Sequence, residues 1–286
     1  MANILKGKPV AEAINQDSIS RINILLSHNI IPTLAIIRIG QNKDDISYEN
    51  NIISKAKQLN INIKSVIFNE NVEFDEFYNT LKALNSDSNI HGILLLRPIP
   101  DYLNNDLARC SIAESKDVDG CNNLSLLDIF VNNKKGFAPC TAQAAIEILN
   151  YYKIDIQGKN VVVVGRSLVV GKPLSMLLLN NNATVTICHT KTNNLKDICK
   201  KADIVISATG KMESLDATYF NSKQTVIDVG ISWNDTKNKL CGDVLFEDVV
   251  DLVENITPVP GGVGSVTTSI LLNHVVIACE NSIKSN

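Results

Sequence analysis

The segment from Val161 to Pro173 carries the clearest chemical pattern in the sequence. It reads VVVVGRSLVVGKP, so a buried strand is expected to run into Gly165 and a helix to open soon afterwards. Glycine permits a tight turn, and the free N–H groups of a helix N-terminus attract phosphate. The pattern predicts a nucleotide phosphate site at Gly165, Arg166 and Ser167. Because Ser167 stands where the common GxGxxG motif has its second glycine, the motif alone also fits a strand–helix turn without a ligand.

The end of the next predicted strand indicates which dinucleotide would bind. NAD enzymes usually carry an acidic residue there, which binds the ribose hydroxyls. This chain has His189, Thr190 and Lys191 instead, and the guanidinium of Arg166 suits bidentate phosphate binding. A carboxylate would repel a 2′-phosphate, whereas a hydroxyl and cations attract it. The site therefore favours NADP over NAD, although His189 and Lys191 taken alone would be ordinary solvated loop residues.

The composition is that of an ordinary globular protein with room for two domains. The chain has 286 residues, of which 45% are hydrophobic and 20% charged, and its net charge is -3. No basic block points to nucleic acid as the main partner. The seven cysteines form no CxxC pair, so neither a disulfide framework nor a metal site is expected, and reduced thiols fit a cytoplasmic protein. No signal peptide and no apolar run of membrane-spanning length is found.

Helix-like and strand-like segments alternate along the chain in two rounds. In the first round, the predicted strands are Thr33–Ile39, Ile61–Phe68 and Gly92–Leu96, and the predicted helices are Val10–Ser27, a segment ending near Leu59, and Asp75–Leu84. In the second, the predicted strands are Asn160–Val164, Ala183–Cys188, Asp203–Ser207 and Thr225–Val229, and the predicted helices are Thr141–Tyr151, Val170–Leu179 and Thr267–Glu280. Such alternation predicts an α/β protein with mostly parallel sheets.

Several segments, taken in order, resemble the bifunctional methylenetetrahydrofolate dehydrogenase/methenyltetrahydrofolate cyclohydrolases, the FolD family. Besides the loop from Gly165 to Pro173, they are Ser47–Lys55, Gly92–Pro100 (GILLLRPIP), Lys116–Gly120 (KDVDG), Pro139–Thr141, Val226–Ile231 (VIDVGI) and Thr257–Thr267 (TPVPGGVGSVT). Their order and spacing hold across nearly the whole chain. The resemblance implies an N-terminal α/β catalytic domain at 1–139, joined by a returning helix at 267–286, and a Rossmann-type NADP domain at 140–266.

The resemblance also implies the chemistry and the partners. The expected substrates are tetrahydrofolate derivatives, bound in a cleft between the domains of a cytosolic homodimer. The dehydrogenase step moves a hydride from the methylene carbon of 5,10-methylenetetrahydrofolate to the nicotinamide of NADP. The cyclohydrolase step adds water to the resulting methenyl cation and opens it to 10-formyltetrahydrofolate.

Three residues match catalytic positions of that family. Lys55 lies in the segment of the catalytic lysine, for which the expected role is proton transfer. Tyr48 is expected to stack on the folate rings. Asp119 matches the aspartate that accepts N–H bonds from the pterin, whereas Asp117, two residues earlier, is expected to be structural. Without the resemblance, the residues themselves would not decide between the two aspartates.

A further set of residues is implied to contact the ligands. Ile231 matches a position whose backbone faces the nicotinamide. Residues implied to bind folate are Leu96, Pro260, Gly261, Gly262 and Thr267.

The sequence departs from the family at Leu96, where many members have a glutamine that hydrogen-bonds the catalytic lysine. Arg97 follows, and strand alternation points it to the opposite face unless the strand has already ended. If Arg97 reached the site, its charge would lower the pKa of Lys55. Ser265 also replaces the usual proline after PGGVG.

Three alternatives stay open beside the bifunctional enzyme. The first, which the departures at Leu96 and Arg97 motivate, is a dehydrogenase with little or no cyclohydrolase activity. The second is another two-domain NADP oxidoreductase, similar to shikimate dehydrogenase, which would not need the PGGVG segment. The third is a non-catalytic nucleotide-binding regulator, against which the presence of Lys55 and Asp119 argues.

Overall fold

The computed structural model describes residues 2–133 and 135–284, and these form two compact units. The six-strand unit comprises the described residues up to Glu12 together with Thr141–Thr267. The three-strand unit comprises the described residues from Ala13 to Cys140 and from Thr268 onward.

Helices and strands alternate through most of the chain. The helices are α1 (Gly7–Ser27), α2 (Lys43–Gln58), α3 (Phe74–Ser86), α4 (Asn105–Ser111), α5 (Asn123–Phe130), α6 (Cys140–Tyr151), α7 (Gly171–Asn180), α8 (Leu195–Lys200), α9 (Phe246–Val249) and α10 (Gly264–Lys284). The strands are β1 (Asn3–Ile4), β2 (Thr33–Ile39), β3 (Asn62–Phe68), β4 (Gly92–Leu95), β5 (Asn160–Val164), β6 (Thr184–Cys188), β7 (Ile204–Ser207), β8 (Thr225–Asp228), β9 (Ser232–Asn234), β10 (Lys239–Cys241) and β11 (Asn255–Ile256).

The three-strand unit is built on a parallel sheet in the order β3-β2-β4. The central strand β2 is apolar at consecutive positions because both of its faces are covered, and residues 34–37 are fully buried. Phe77 and Leu81 of α3 pack on one side of this sheet. On α2, the buried Glu49 pairs with Arg38 of β2 at 2.7 Å and accepts a hydrogen bond from Ser65 of β3 at 2.7 Å. These contacts tie α2 to two strands of the sheet.

The six-strand unit contains a sheet in the order β1-β11-β8-β7-β5-β6, with every neighbouring pair parallel. The chain passes from β5 to β6 on one side and then crosses to β7 on the other. Such a reversal of direction makes the carboxyl end of β5 a topological switch point, where ligands of α/β proteins bind. The topology therefore places the glycine loop after β5 at a binding position.

The predicted α/β class with two domains is confirmed. The structure differs from the sequence-based division at the N-terminus, because β1 pairs with β11 and the residues up to Glu12 belong to the six-strand unit. Several short elements were not predicted from the sequence: α4, α5, α8, α9, β1, β11 and the antiparallel pair β9–β10. They are too short to show a helical or strand period.

Among the described residues, no helix is long and apolar enough to cross a membrane. All seven cysteines are free. Within the same residues, no group of three or more His, Cys, Asp or Glu side chains is arranged to hold a metal ion.

The loop between α4 and α5 is closed by the fully buried carboxylate of Asp117. Its Oδ1 accepts a hydrogen bond from the backbone N–H of Cys121 at 3.0 Å. Its Oδ2 accepts hydrogen bonds from the N–H of Asn122 at 2.8 Å and from the hydroxyl of Ser125 at 2.6 Å. The role expected of Asp117, a structural one, agrees with these contacts.

We expect Asp117→Asn to lower the free energy of unfolding by about 2 kcal/mol or more, because its amide N–H would face buried donors. Urea unfolding followed by circular dichroism measures the change. Asp17→Asn is the matched control, because Asp17 belongs to a solvent-exposed pair with Arg21, where a loss of about 0.5 kcal/mol or less is expected. Equal stabilities for the two variants would contradict the structural role of Asp117.

Candidate active site

The loop after β5 has the backbone geometry of a phosphate-binding turn. Gly165 adopts a φ of +143°, and a Cβ there would collide with the carbonyl oxygen of Ala208. A side chain at this position is therefore excluded by both conformation and space. Helix α7 opens six residues later, at Gly171. The hydroxyl of Ser167 accepts a hydrogen bond from the N–H of Val170 at 3.1 Å, which shapes the turn before the helix.

A cavity of about 390 Å³ lies at this switch point. Its walls come from the loops that follow β5, β6 and β7. They include Gly165, Arg166, Ser167, His189, Thr190, Thr209, Lys211, Ser214 and Tyr219. Arg166 and Lys211 are cationic, and no Asp or Glu occurs among the described residues that line the cavity. The cavity therefore suits an anionic ligand, and its residues fit a dinucleotide phosphate.

Thr190 lines this cavity from a turn that its own neighbours stabilise. The N–H of His189 donates to the hydroxyl of Thr192 at 2.8 Å, and the Nδ1 of His189 accepts from the N–H of Lys191 at 3.1 Å. The turn holds Thr190 at the cavity wall, and Lys191 does not line it.

The loop after β7 supplies cavity residues that were not predicted from the sequence. Thr209 and Lys211 lie there, and the carboxylate of the fully buried Asp243 orders the segment. Its Oδ2 accepts hydrogen bonds from the N–H of Thr209 at 2.6 Å and the hydroxyl of Ser207 at 3.1 Å. The sequence could have predicted these cavity residues, because they follow a third parallel strand whose carboxyl end borders the same switch point.

Ile231 follows β8 and is 58% exposed, outside the cavity lining. The loop that carries it is held by the buried Asp228, which accepts from the N–H of Gly230 at 3.0 Å. Burial raises the pKa of Asp228 to about 7, and the nearby Asp243 acts in the same direction.

The PGGVG segment also lies in the six-strand unit, where α10 begins at Gly264. The carbonyl oxygen of Gly261 accepts a hydrogen bond from the N–H of Gly7 at 2.7 Å. The hydroxyl of Thr267 donates to the carbonyl of Val263 at 3.3 Å within the first turn of α10. Pro260, Gly261, Gly262 and Thr267 thus form a loop and helix start anchored on α1.

The three-strand unit holds the other candidate residues, Tyr48, Lys55, Leu96 and Asp119. Tyr48 and Lys55 are both on α2, seven residues apart, so they share one face of the helix. Burial lowers the pKa of Lys55, which favours the neutral amine.

Tyr48 belongs to a group with Asp119 and Cys140. Burial raises the pKa of Tyr48, and the neighbouring Cys140 and Asp119 act in the same direction, so the phenol stays neutral. Burial also raises the pKa of Asp119, to about 6, against the opposing effect of Arg97. Tyr48 and Asp119 are therefore brought together.

Arg97 reaches Asp119, with its Nη2 3.4 Å from Oδ2. The alternation argument does not apply to Arg97 because β4 has ended at Leu95. Burial is the cause of the lowered pKa of Lys55, and Arg97 opposes the rise in the pKa of Asp119. The expected effect of Arg97 on Lys55 stays a prediction. Leu96 is only 5% exposed, and its N–H donates to the carbonyl of Ile37 at 2.9 Å, so its side chain packs into the unit.

Two buried side chains that contact the loop of Asp119 were also not predicted from the sequence. The thiol of Cys140 donates to the carbonyl of Val118 at 3.3 Å. The Nδ1 of His274, on α10, lies 2.9 Å from the same carbonyl. The ring of His274 packs on Phe137, with centroids 4.7 Å apart. Burial lowers the pKa of His274 to about 4, so its neutral ring donates to the loop that carries Asp119.

The sequence matches two family models in succession. The catalytic domain model of tetrahydrofolate dehydrogenase/cyclohydrolase covers residues 5–119, and the NAD(P)-binding domain model of the same family covers residues 139–283. The chain belongs to the tetrahydrofolate dehydrogenase/cyclohydrolase family.

Relatives within this family match over their full length. A protein of Clostridium botulinum described as bifunctional protein FolD is 51% identical over 282 residues, which are 99% of this chain and 100% of that protein. A FolD protein of Clostridioides difficile is 44% identical over 97% of this chain and 96% of its own.

Solved structures of this family have the same fold. The FolD methylenetetrahydrofolate dehydrogenase/cyclohydrolase of Campylobacter jejuni superposes with a TM-score of 0.95 at 35% identity, covering 98% of this chain and 99% of its own. The Trypanosoma brucei enzyme, solved with NADP cofactor and an inhibitor, gives a TM-score of 0.92 at 30% identity, covering 99% of each chain.

We expect Arg166→Gln to raise the dissociation constant of NADP by roughly tenfold while changing that of NAD by about twofold or less, because only NADP carries the 2′-phosphate. Isothermal titration calorimetry with both cofactors measures this. Arg21→Gln, in the other unit, is the control. An equal loss for both cofactors would show that Arg166 does not read the 2′-phosphate.

Proposed function

We propose that the protein is an NADP-dependent methylenetetrahydrofolate dehydrogenase that also hydrolyses the methenyl product to 10-formyltetrahydrofolate. The full-length match to bifunctional FolD proteins carries this proposal. The anion-binding cavity after β5 supports the cofactor assignment. Nothing in these matches favours a shikimate dehydrogenase-like enzyme, a nucleotide-binding regulator or a dehydrogenase without cyclohydrolase activity.

Recognition of the folate is assigned to Asp119 and Tyr48. A carboxylate can accept two N–H bonds from the edge of a flat heterocycle, which fixes both its position and its orientation. The side chain of Asp119 is 25% exposed, so it retains access to a ligand. With its pKa raised to about 6 by burial, Asp119 is mostly ionised at neutral pH. The neutral phenol of Tyr48 provides an aromatic surface beside it.

NADP, when bound, accepts a hydride from the methylene carbon that bridges N5 and N10 of the folate. Loss of the hydride leaves a methenyl cation delocalised over both nitrogens. Water then adds to the methenyl carbon and loses a proton, which gives a neutral carbinol. The bond from that carbon to N5 breaks as N5 takes up a proton and the carbinol O–H gives up its own, so that a C=O forms and one proton is released overall. The formyl group stays on N10, so no further reductant or oxidant is needed.

Lys55 is proposed to carry protons in the water-addition step. Burial lowers its pKa, which favours the neutral amine, the form that a general base requires. Leu96 has no polar side-chain atom, so it cannot orient the amine of Lys55 through a hydrogen bond. We assign to Leu96 a packing contact beside the folate.

The remaining family positions stay proposals. Gly165, Arg166, Ser167 and Thr190 are assigned to the NADP phosphates. The backbone of Ile231 is assigned to the nicotinamide. Ligand contacts are also assigned to Pro260, Gly261, Gly262 and Thr267.

We expect the purified protein to reduce NADP with 5,10-methylenetetrahydrofolate while methenyltetrahydrofolate stays low. Absorbance of the methenyl product and of NADPH, followed together, measures both steps. Lys55→Met should make the methenyl product accumulate in step with NADPH, because only water addition needs the lysine proton transfer. Lys57→Met on the same helix is the control for loss of a lysine.

The outcomes of this assay separate the possibilities. No reduction of either NADP or NAD would overturn the proposed function. Accumulation of the methenyl product by the wild-type protein would mean that it has dehydrogenase activity without cyclohydrolase activity. Unchanged hydrolysis in Lys55→Met would remove that lysine from the mechanism.

We further propose a cytosolic homodimer, as the family resemblance implies. Strand β3 lies at the edge of the three-strand sheet, where unpaired backbone groups can take a further strand. Ile67 on this strand is 52% exposed. A neighbouring groove is lined by Leu26, Ile31, Ile53, Lys57, Asn60, Ile61, Asn62 and Ile63. A second copy of the chain would cover these apolar side chains.

Light scattering after size exclusion should give twice the mass of one chain, and Ile67→Lys should shift the protein toward the monomer, because a buried charge opposes association. Ile24→Lys, on α1, is a control at a comparably exposed isoleucine. A monomeric wild-type protein at micromolar concentration would contradict the dimer.

A further inference from the structure

Two arginine–carboxylate pairs in the three-strand unit differ in their access to solvent. Arg38 and Glu49 are each 6% exposed and tie α2 to the sheet. The side chains of Arg97 and Asp119 are 21% and 25% exposed. The first pair is closed to ligands, whereas the second presents a carboxylate and a guanidinium that a ligand can reach.

Backbone contacts hold both members of the exposed pair in place. Arg97 follows Leu96, whose side chain is buried and whose N–H is bonded to β2. Asp119 follows the fully buried Val118 and precedes Gly120, which has a φ of +65°. A Cβ on Gly120 would lie 2.5 Å from the backbone nitrogen of Pro139. The backbone positions from which Arg97 and Asp119 reach each other are therefore set by the fold.

The titratable groups around Asp119 come from several elements. They are Arg97 after β4, Asp117 and Cys121 on its own loop, Cys140 at the start of α6, and Tyr48 on α2. His274 on α10 bonds the adjacent Val118 carbonyl, and its low pKa keeps it neutral. Arg97 is thus the cation of this group within the described structure, and Asp117 is a like charge.

We propose that Arg97 is a positioning residue for folate recognition, which keeps the carboxylate of Asp119 ionised and oriented to accept N–H bonds from the pterin. This inference rests on the proposed function and deepens it, because it explains how a carboxylate surrounded by apolar and acidic groups stays available. An ionised carboxylate accepts at both oxygens, whereas a protonated one carries an O–H that opposes an N–H donor.

The electrostatics of the site act in the direction that this role requires. Burial raises the pKa of Asp119 to about 6, Asp117 acts in the same direction, and Arg97 opposes both. Without the guanidinium, burial and Asp117 would raise the pKa of Asp119 further, because no cation of the described structure would oppose them. The carboxyl group would then be protonated closer to neutral pH, and folate binding would weaken as the pH falls.

The experiment compares the pH dependence of kcat/KM for methylenetetrahydrofolate in the wild-type protein, Arg97→Gln and Arg97→Lys. In Arg97→Gln the acidic limb should move up by about one pH unit, the low end expected for a partly exposed pair. That shift corresponds to about fivefold lower kcat/KM near pH 6 and near-equal values above about pH 8.5. The loss should appear in KM for the folate, with kcat and the KM for NADP little changed.

Arg97→Lys should restore most of the wild-type profile, because it keeps the charge. Arg21→Gln is the matched control, since it removes an arginine from ion pairs with Asp17 and Glu280 in the same unit. Superimposable profiles for Arg97→Gln and wild type would overturn the proposal. So would a loss that is equal at all pH values and is not rescued by lysine, which would mark a purely structural role.

A second measurement separates this inference from the proposed function. The titration of the Asp119 carboxyl carbon is followed by ¹³C NMR in the ligand-free protein, with the signal assigned through Asp119→Asn. Its midpoint should rise in Arg97→Gln and return in Arg97→Lys. An unmoved midpoint overturns the role of Arg97 whatever the substrate. A moved midpoint with a failed dehydrogenase assay overturns the proposed function and with it the folate, and leaves only the effect of Arg97 on the Asp119 carboxylate.

Discussion

The carboxylate of Asp117 is fully buried, and it accepts hydrogen bonds from the backbone of Cys121 and Asn122 and from the hydroxyl of Ser125. These bonds fold the chain back on itself between α4 and α5. Asp119 lies inside the closed turn, two residues further along, and its side chain remains partly exposed. One acidic residue thus holds the loop through its hydrogen bonds, while the side chain of the other stays accessible.

In the six-strand unit, buried carboxylates likewise hold the loops around the cavity through hydrogen bonds from backbone N–H groups. Asp243 accepts from the N–H groups of Thr209 and Gly210, at 2.6 and 3.2 Å, and so shapes the loop that lines the cavity. Asp228 accepts from the N–H of Gly230 at 3.0 Å and from that of Val244 at 2.9 Å. A buried carboxylate without such donors would be strongly unfavourable, so each one fixes the loop that supplies them. Loops at the ends of parallel strands have no ladder partners of their own, and these carboxylates replace them.

Positive charge has a different function in the two units. In the cavity after β5, Arg166 and Lys211 have no carboxylate among the described lining residues, so their charge is available to an anion. Beside Asp119, Arg97 is paired, so its charge acts on the carboxylate and not on a ligand phosphate. An arginine is therefore available to an anion in one unit and is paired with a carboxylate in the other.

The sequence by itself determined the architecture and the nucleotide loop, because both depend on local patterns. Consecutive apolar residues at 34–37 and 161–164 mark strands covered on both faces, and Gly165 marks a turn that excludes a side chain. The residues alone left the choice between Asp117 and Asp119 open, and the buried hydrogen bonds of Asp117 agree with the structural role expected of it.

Only the tertiary structure decided which groups act on one another. The contact of Arg97 with Asp119 depends on where β4 ends, a boundary that hydrophobic alternation does not locate to a single residue. His274 and Cys140 are far from Asp119 in sequence, yet both support its loop through the carbonyl of Val118. Likewise, β1 adds to a sheet whose other strands begin more than 150 residues later. Such pairings arise from packing between distant segments, which short-range residue patterns do not record.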